Sequence, residues 1–406
     1  MRGSSAPAPP GALRLRGQGS AGEREPLAYA LPMTSSSNDR AATLRRRDLI
    51  GGAAAGAALA SCGGGEGGPA VHTGDKRIQW RMQSSFPSTL DTMFGSAETF
   101  CDQVAAMTDG RFRIRPYQAG EIVPGLEVLD AVQKGSVHMG QTAGYYYIGK
   151  APMLAFETCV PFGLNARQQS AWLDEAGGAE LIGEVLADFN CVALAGGNTG
   201  TQMGGWFRKE VSSVQDLQGL KMRIPGLGGK VMAELGVSVK SLPGGEIYQA
   251  LERGAIDATE WVGPYDDQKL GFYEVAKNYY FPGWWEPGPH LSFYVNKDQW
   301  EALPESYRAV LGAASKEAAR TMQTRYDARN PGALAELRTR DITIRPFADS
   351  IMTAARDASE QLLSDSAAGD AAYGKLLNHW RKFRDESFGW FGTAELSYAK
   401  FAFPGR

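Results

Sequence analysis

From residue 77 onward the chain switches repeatedly between two hydrophobic periods, and that switching restricts it to an α/β fold. Arg77-Ile78-Gln79-Trp80-Arg81-Met82 alternates as a half-buried strand does. Residues 89–107 then place Leu90, Phe94, Ala97, Phe100, Val104 and Met107 on one helical face, and Thr108-Asp109-Gly110 stops them. Residues 111–117 alternate again. Strand, helix and strand in that order imply a parallel pair joined by a crossover.

The alternation persists. Further strands are expected at 136–140, 191–195, 202–208, 219–224, 255–260 and 341–345, and helices at 125–135, 165–189 (one or two), 228–235 and 245–253. A short helical start is read at 214–217. Residues 299–338 read as strongly helical with a break near Asn330-Pro331. The amphipathic tail, 351–388, carries Tyr373, Trp380 and Phe383.

A length of 406 residues suits two ordinary domains or one very large one, and 43% hydrophobic with 21% charged residues supplies an ordinary core. A net charge of −3 gives no basic footprint for nucleic acid. Residues 1–40, rich in Ala, Pro, Gly, Ser and Arg, lack a hydrophobic period and fall outside the fold, with Met33 a plausible start. Residues 43–50 form a twin-arginine-like basic stretch, and 51–60 a run of small apolar residues. Such a run is too short to span a bilayer of about 30 Å but suits the apolar core of a signal peptide. Leu59-Ala60-Ser61-Cys62 resembles a lipobox, so a lipid anchor at Cys62 is expected, with residues 63–75 as a flexible tether. The expected location is the periplasm, reached by the twin-arginine route.

Cys101, Cys159 and Cys191 remain; an odd count without CxxC or zinc spacing reads as buried free thiols. No Walker A loop, GxGxxG after a strand, GxSxG or HExxH is present. His72, His138, His290 and His379 are scattered and read as structural or exposed rather than as general bases. No enzymatic role is expected.

Polar residues set in aromatic, glycine-rich loops stand out instead. Tyr145-Tyr146-Tyr147 follows Gly144, Gly196-Gly197-Asn198-Thr199-Gly200 follows an apolar strand, and Trp284-Trp285-Glu286 sits between Pro282 and Pro287. Ligands of open α/β sheets bind beyond the carboxyl ends of strands. Arg223 interrupts an apolar strand; a buried guanidinium needs an anion, whether a ligand carboxylate or a protein Asp or Glu. Glu260, at a strand end before Trp261, would pair with Arg223 or bind a hard cation, with Gln202 a further oxygen donor.

Several runs together resemble a known family. Gly120-Glu121-Ile122-Val123-Pro124-Gly125, the three tyrosines, Pro161-Phe162-Gly163-Leu164-Asn165-Ala166-Arg167, residues 196–200 and 202–209, Gly219-Leu220-Lys221-Met222-Arg223, residues 257–267 and residues 282–286 are similar, over about 78–347, to the solute-binding proteins of TRAP transporters (the DctP family). Within them the likeness is to the TakP-like branch, which binds 2-oxo acids or lactate.

The resemblance implies a two-domain, periplasmic-binding-protein-like α/β fold with a ligand cleft and long C-terminal helices. Its expected divisions are an extension and export signal (1–62), a linker (63–75), domain I (76–200 with about 288–330), domain II (201–287 with about 331–350) and a helical region (351–406). It further implies that Arg223 clamps a substrate carboxylate, that Asn198 contacts the substrate, and that Tyr145 and Tyr146 line the cleft. Gln202, Glu260 and the main-chain carbonyl of Trp261 would hold a sodium or calcium ion, with Glu286 nearby among the substrate-binding residues. The partners implied are a small organic-acid anion, TRAP membrane subunits and a second copy docked through the C-terminal tail. The function expected is an extracytoplasmic receptor for a small 2-oxo or 2-hydroxy monocarboxylate. The alternatives are a dicarboxylate or larger keto acid as ligand, or an enzyme acting on a keto acid.

Overall fold

The computed structural model describes residues 77–403; the export segment, Met33, Cys62, the linker and His72 lie outside the described residues. Among the described residues, eleven strands form two sheets. The first contains β1 (Ile78–Ser84), β2 (Phe112–Tyr117), β3 (Met139–Thr142), β4 (Cys191–Asn198) and β10 (His290–Asn296), in the order β2-β1-β3-β10-β4. β1 runs parallel to β2 and β3, while β10 is antiparallel to both β3 and β4. The early alternation buries Trp80 and Met82 of β1 and Phe112 and Ile114 of β2 against Ala97, Phe100 and Val104 of the helix Met93–Met107. That is the expected crossover unit, packed by its apolar face.

The second sheet contains β5 (Trp206–Phe207), β6 (Lys221–Arg223), β7 (Ser238–Lys240), β8 (Ala258–Thr259), β9 (Asn278–Phe281) and β11 (Thr343–Pro346), in the order β11-β9-β5-β8-β6-β7. β6 lies parallel between β7 and β8. The long helix Glu305–Leu337 serves both sheets: Leu311, Ala314 and Ala318 join the core of the first, while Met322 and Tyr326 pack with Trp206, Trp261 and Tyr279 near the second.

The structure decides one open reading and changes others. The span 165–189 is two helices, Ala166–Glu175 and Gly178–Ala187, separated by Gly177 in the left-handed region at φ 82°. The expected break at Asn330-Pro331 is absent. Proline removes one helical hydrogen bond, yet burial of Ala333 and Leu337 holds the last turns in place, and Asn330 Oδ1 accepts from Tyr265 N at 3.1 Å. The tail is two helices, Asp349–Gly369 and Ala371–Phe391, parted at Asp370, which caps the second by accepting from Ala372 N at 2.8 Å. Strands β7, β9 and β10 were not legible as strands in the sequence.

Trp380 is a core residue, 1% exposed and edge-on to Phe156 at 5.8 Å. It is therefore not free to meet a second copy. The exposed aromatics lie further along: Phe388, Trp390, Tyr398, Phe401 and Phe403. Cys101, Cys159 and Cys191 are free and buried, as expected. Among the described residues no helix is long and apolar enough to cross a membrane.

Candidate functional site

Parallel pairing of β6 with β8 sets Arg223 opposite Thr259, and Glu260 N donates to the Arg223 carbonyl at 3.3 Å. Strand geometry alone thus brings two residues 37 positions apart to one sheet end. Arg223 Nη1 donates to the Glu260 carboxylate and, at 3.2 Å, to the Glu260 carbonyl, while Nε donates to Leu242 O at 3.1 Å. The guanidinium carbon lies 5.1 Å from the centroid of the Trp261 ring. Arg223 and Glu260 are 1% and 0% exposed. A buried ion pair of this kind is held by its neighbours rather than being a source of stability, because desolvation offsets the attraction.

The loop carrying Glu286 is tied to the segment carrying Gln202 by reciprocal backbone bonds. Gln202 N donates to Glu286 O at 3.2 Å and Gly283 N to Gln202 O at 2.9 Å. Position 283 requires glycine, since a Cβ there would meet the Gln202 and Met203 carbonyl oxygens at 2.7 and 2.6 Å. The third contribution comes from the first sheet. β3 runs into a short turn, Gly144–Tyr147, on which the Tyr145 and Tyr146 rings stack at 4.8 Å. Tyr147 turns away to share a hydrogen bond with Thr142 at 2.7 Å. Tyr145 packs against Gly226, at φ 66°, where a Cβ would strike the ring.

The electrostatics follow from burial. Desolvation pushes the Glu260 carboxyl up to about 7, with the Arg223 charge opposing and Asp267 adding to the rise. Burial and then the charge of Glu260 push Glu286 well above the usual carboxylate range, against the pull of Arg223, Gln202 and Tyr145. Burial works against the Arg223 charge, but Glu260 and the flanking groups hold its pKa above the ordinary value. Two carboxyl groups therefore compete for one guanidinium.

Three buried oxygens at this locus have no hydrogen-bond donor: Gln202 Oε1, Glu260 Oε2 and Glu286 Oε2. Leaving buried acceptors unmet costs about 1–3 kcal/mol each, so the set fits a cation that prefers oxygen ligands. No three His, Cys, Asp or Glu side chains form a metal cluster among the described residues. The donors here are an amide and two carboxyls, a mixture suited to sodium or calcium rather than to zinc.

Of the residues singled out from sequence, Arg223, Glu260, Trp261, Glu286, Gln202, Tyr145 and Tyr146 share this locus. Asn198 stands at its edge. Its Nδ2 donates to Gly288 O at 3.0 Å and its Oδ1 accepts from Gly200 N at 2.9 Å, which shapes the turn leading to Gln202. Three other buried acids, Glu157, Asp266 and Asp267, had no assigned part. Asp267 collects four donors under the 260–263 loop, and Glu157 accepts from Ser292 at 2.6 Å and from Tyr294. None lies in a periodic pattern, and most of their partners are distant in sequence; only the run 257–267 hinted at Asp266 and Asp267.

Two sheets contribute to one buried, charged locus, an arrangement suited to holding a small solute. The chain belongs to the bacterial extracellular solute-binding protein family 7, whose pattern matches residues 83–370. It is 53% identical over 333 residues, 82% of this chain and 91% of the relative, to a monocarboxylate 2-oxoacid-binding periplasmic protein of Nostoc sp.. Among solved structures it resembles a TRAP transporter solute-binding protein of Bordetella bronchiseptica with copurified calcium and picolinate. That likeness has a TM-score of 0.80 and 44% identity, over 81% of this chain and 98% of that one. It also resembles a TRAP periplasmic solute-binding protein of Pseudoalteromonas atlantica with bound sodium and pyruvate, at TM-score 0.78 and 38% identity, over 80% and 99% of the two chains.

Proposed function

We propose that this chain is the extracytoplasmic receptor of a TRAP transporter and captures a small 2-oxo or 2-hydroxy monocarboxylate together with a sodium or calcium ion. The observation that carries this reading is the buried Arg223 guanidinium beside Gln202 Oε1, Glu260 Oε2 and Glu286 Oε2, three oxygens without a donor. Arg223 supplies a planar fork for one carboxylate. Bringing an anion to a locus that already holds two carboxyl groups calls for a compensating positive charge. Gln202, Glu260 and the Trp261 carbonyl would hold that cation. When bound, it would supply the positive charge that offsets the acid and favour acids carrying a 2-oxo or 2-hydroxy oxygen. Glu286 would stand beside these cation ligands, among the substrate-binding residues.

Tyr145 and Tyr146 come from the first sheet and Arg223 from the second. Closure of two lobes over the acid would give the membrane subunits a bound form to recognise. The basic stretch 43–50 and apolar run 51–60 support export by the twin-arginine route, and Cys62 a lipid anchor. The exposed Trp390, Tyr398, Phe401 and Phe403 support docking of a second copy through the tail. A receptor rather than an enzyme is supported by where the described histidines are engaged. His138 Nδ1 accepts from Arg81 N, His379 Nδ1 from Trp172 Nε1, and His290 faces Ser292.

The test is calorimetric titration with pyruvate, lactate, longer 2-oxo acids and succinate. Tightest binding of short 2-oxo or 2-hydroxy monocarboxylates is expected. Preference for succinate would replace the ligand class, and turnover of pyruvate would replace the receptor reading.

A further inference from the structure

Asp267 is buried in the first turn of the helix Pro264–Lys269, and no lysine or arginine is among its hydrogen-bond partners. Its Oδ2 accepts from Trp206 Nε1 at 3.0 Å and from Tyr279 OH at 2.7 Å, both on the second sheet. Its Oδ1 accepts from the backbone N–H of Val262 at 3.3 Å and of Gly263 at 3.2 Å. The carboxylate is thereby anchored to the sheet on one side and grips the 260–263 loop on the other.

The Val262 N–H belongs to the same planar unit as the Trp261 carbonyl, and in a trans peptide the two point in opposite directions. An acceptor that fixes the N–H therefore fixes where the carbonyl oxygen points. A charged acceptor also polarises the unit and increases the negative charge on that oxygen. The next carbonyl, Val262 O, accepts from Met203 N at 2.9 Å, so the same loop is clamped to the segment carrying Gln202.

We infer that Asp267 is a positioning residue for the cation, aiming and polarising the Trp261 carbonyl through the Val262 N–H. This rests on the cation reading proposed above. Its neighbour Asp266 is an internal control. Equally buried, it turns the other way, accepting from Thr92 Oγ1 at 2.7 Å and Tyr326 OH at 2.6 Å.

The experiment measures Ca2+ affinity alone, and pyruvate affinity with excess Ca2+ and under chelation, for wild type, Asp267→Asn, Asp267→Ala and Asp266→Asn. Loss of a group that orients a metal ligand lowers metal affinity by about 10- to 100-fold. Asp267→Ala is expected to show that loss and Asp267→Asn a smaller one. The advantage Ca2+ confers on pyruvate should shrink in parallel, while chelated pyruvate affinity and the Asp266→Asn protein stay near wild type. Ca2+ affinity unchanged in Asp267→Ala, or equal losses in Asp266→Asn, would overturn the inference. If Asp267→Ala does not fold, Asp267→Asn and Tyr279→Phe carry the same comparison, and wild-type Ca2+ affinity in both overturns it. If wild type binds sodium but not calcium, the same comparison is read with sodium; wild type indifferent to both ions would instead overturn the cation reading, and this inference with it.

Discussion

Arg223 donates through Nη1 to both the side-chain carboxylate and the main-chain carbonyl of Glu260. One strand end thus holds a cation and an anion out of water, with a second carboxyl, Glu286, in electrostatic reach. A locus built in this way is poised to exchange partners when an anion and a cation arrive together.

Arg223→Ala should lower pyruvate affinity by about 100-fold or more, about 2.7 kcal/mol, because it removes the fork and leaves Glu260 and Glu286 buried without compensation. Arg223→Lys should recover only part of this, since an ammonium lacks the planar pair of donors. Calorimetric titration of folded variants measures both. Wild-type affinity in Arg223→Ala would remove Arg223 from the clamp.

Gly226→Ala should destabilise the protein by about 1–2 kcal/mol, because the residue sits at φ 66° where a Cβ is disfavoured. The added Cβ also meets the Tyr145 ring, so acid affinity should fall as well. Denaturant unfolding measures the first and titration the second. Loss of stability with full affinity would separate Tyr145 from the ligand.

Glu157 links stability to pH. Burial raises its carboxyl from the usual 4.5 to about 7, against the pull of Ser292 and Tyr294. The fold therefore favours the protonated form. Its contribution is fullest below the unfolded value and is lost as pH rises toward and through about 7. Glu157→Gln should flatten the stability profile relative to wild type by up to about 3 kcal/mol across that window. Denaturant midpoints measured from acid to neutral pH test this, and parallel profiles would contradict it.

The tail predicts an assembly that is independent of the acid site. Phe401 is 89% exposed and Trp390 63%, on turns that leave them without a core of their own. Phe401→Asp with Trp390→Asp should shift sedimentation from dimer to monomer while pyruvate affinity stays unchanged. A wild-type protein that sediments as a monomer at all concentrations would refute docking through this face.

The fold was legible where one hydrophobic period ran long enough to declare itself. Residues 77–117 read correctly as strand, helix and strand because Trp80, Met82, Phe100 and Phe112 mark one core at their proper spacings. β5 and β8 fall inside spans read as strands, 202–208 and 255–260, though each keeps only two paired residues, while the three residues of β7 are too few to carry a period. β10 passed unread because His290 to Asn296 lies buried in mid-sheet, where neither alternation nor a purely apolar run is required. Pro331 misled because propensity was outweighed by burial of the turns beyond it. For the site, local sequence marked Arg223 as out of place on its strand but could not choose its anion. Bringing Gln202 to Glu286 takes a backbone bond across 84 positions, and no spacing rule spans that distance. Asp267 was hidden for the same reason: Trp206 and Tyr279, which anchor it, lie on separate strands.

The central claim is capture of an acid together with a cation, and linkage tests it most directly. Two ligands that bind as a unit raise each other's affinity by the same factor. Pyruvate should be titrated into dialysed protein with sodium or calcium in excess, and again with both removed. At least about a tenfold gain in pyruvate affinity with one of the cations, worth about 1.4 kcal/mol, is predicted. Equal affinity with and without both cations would contradict the account.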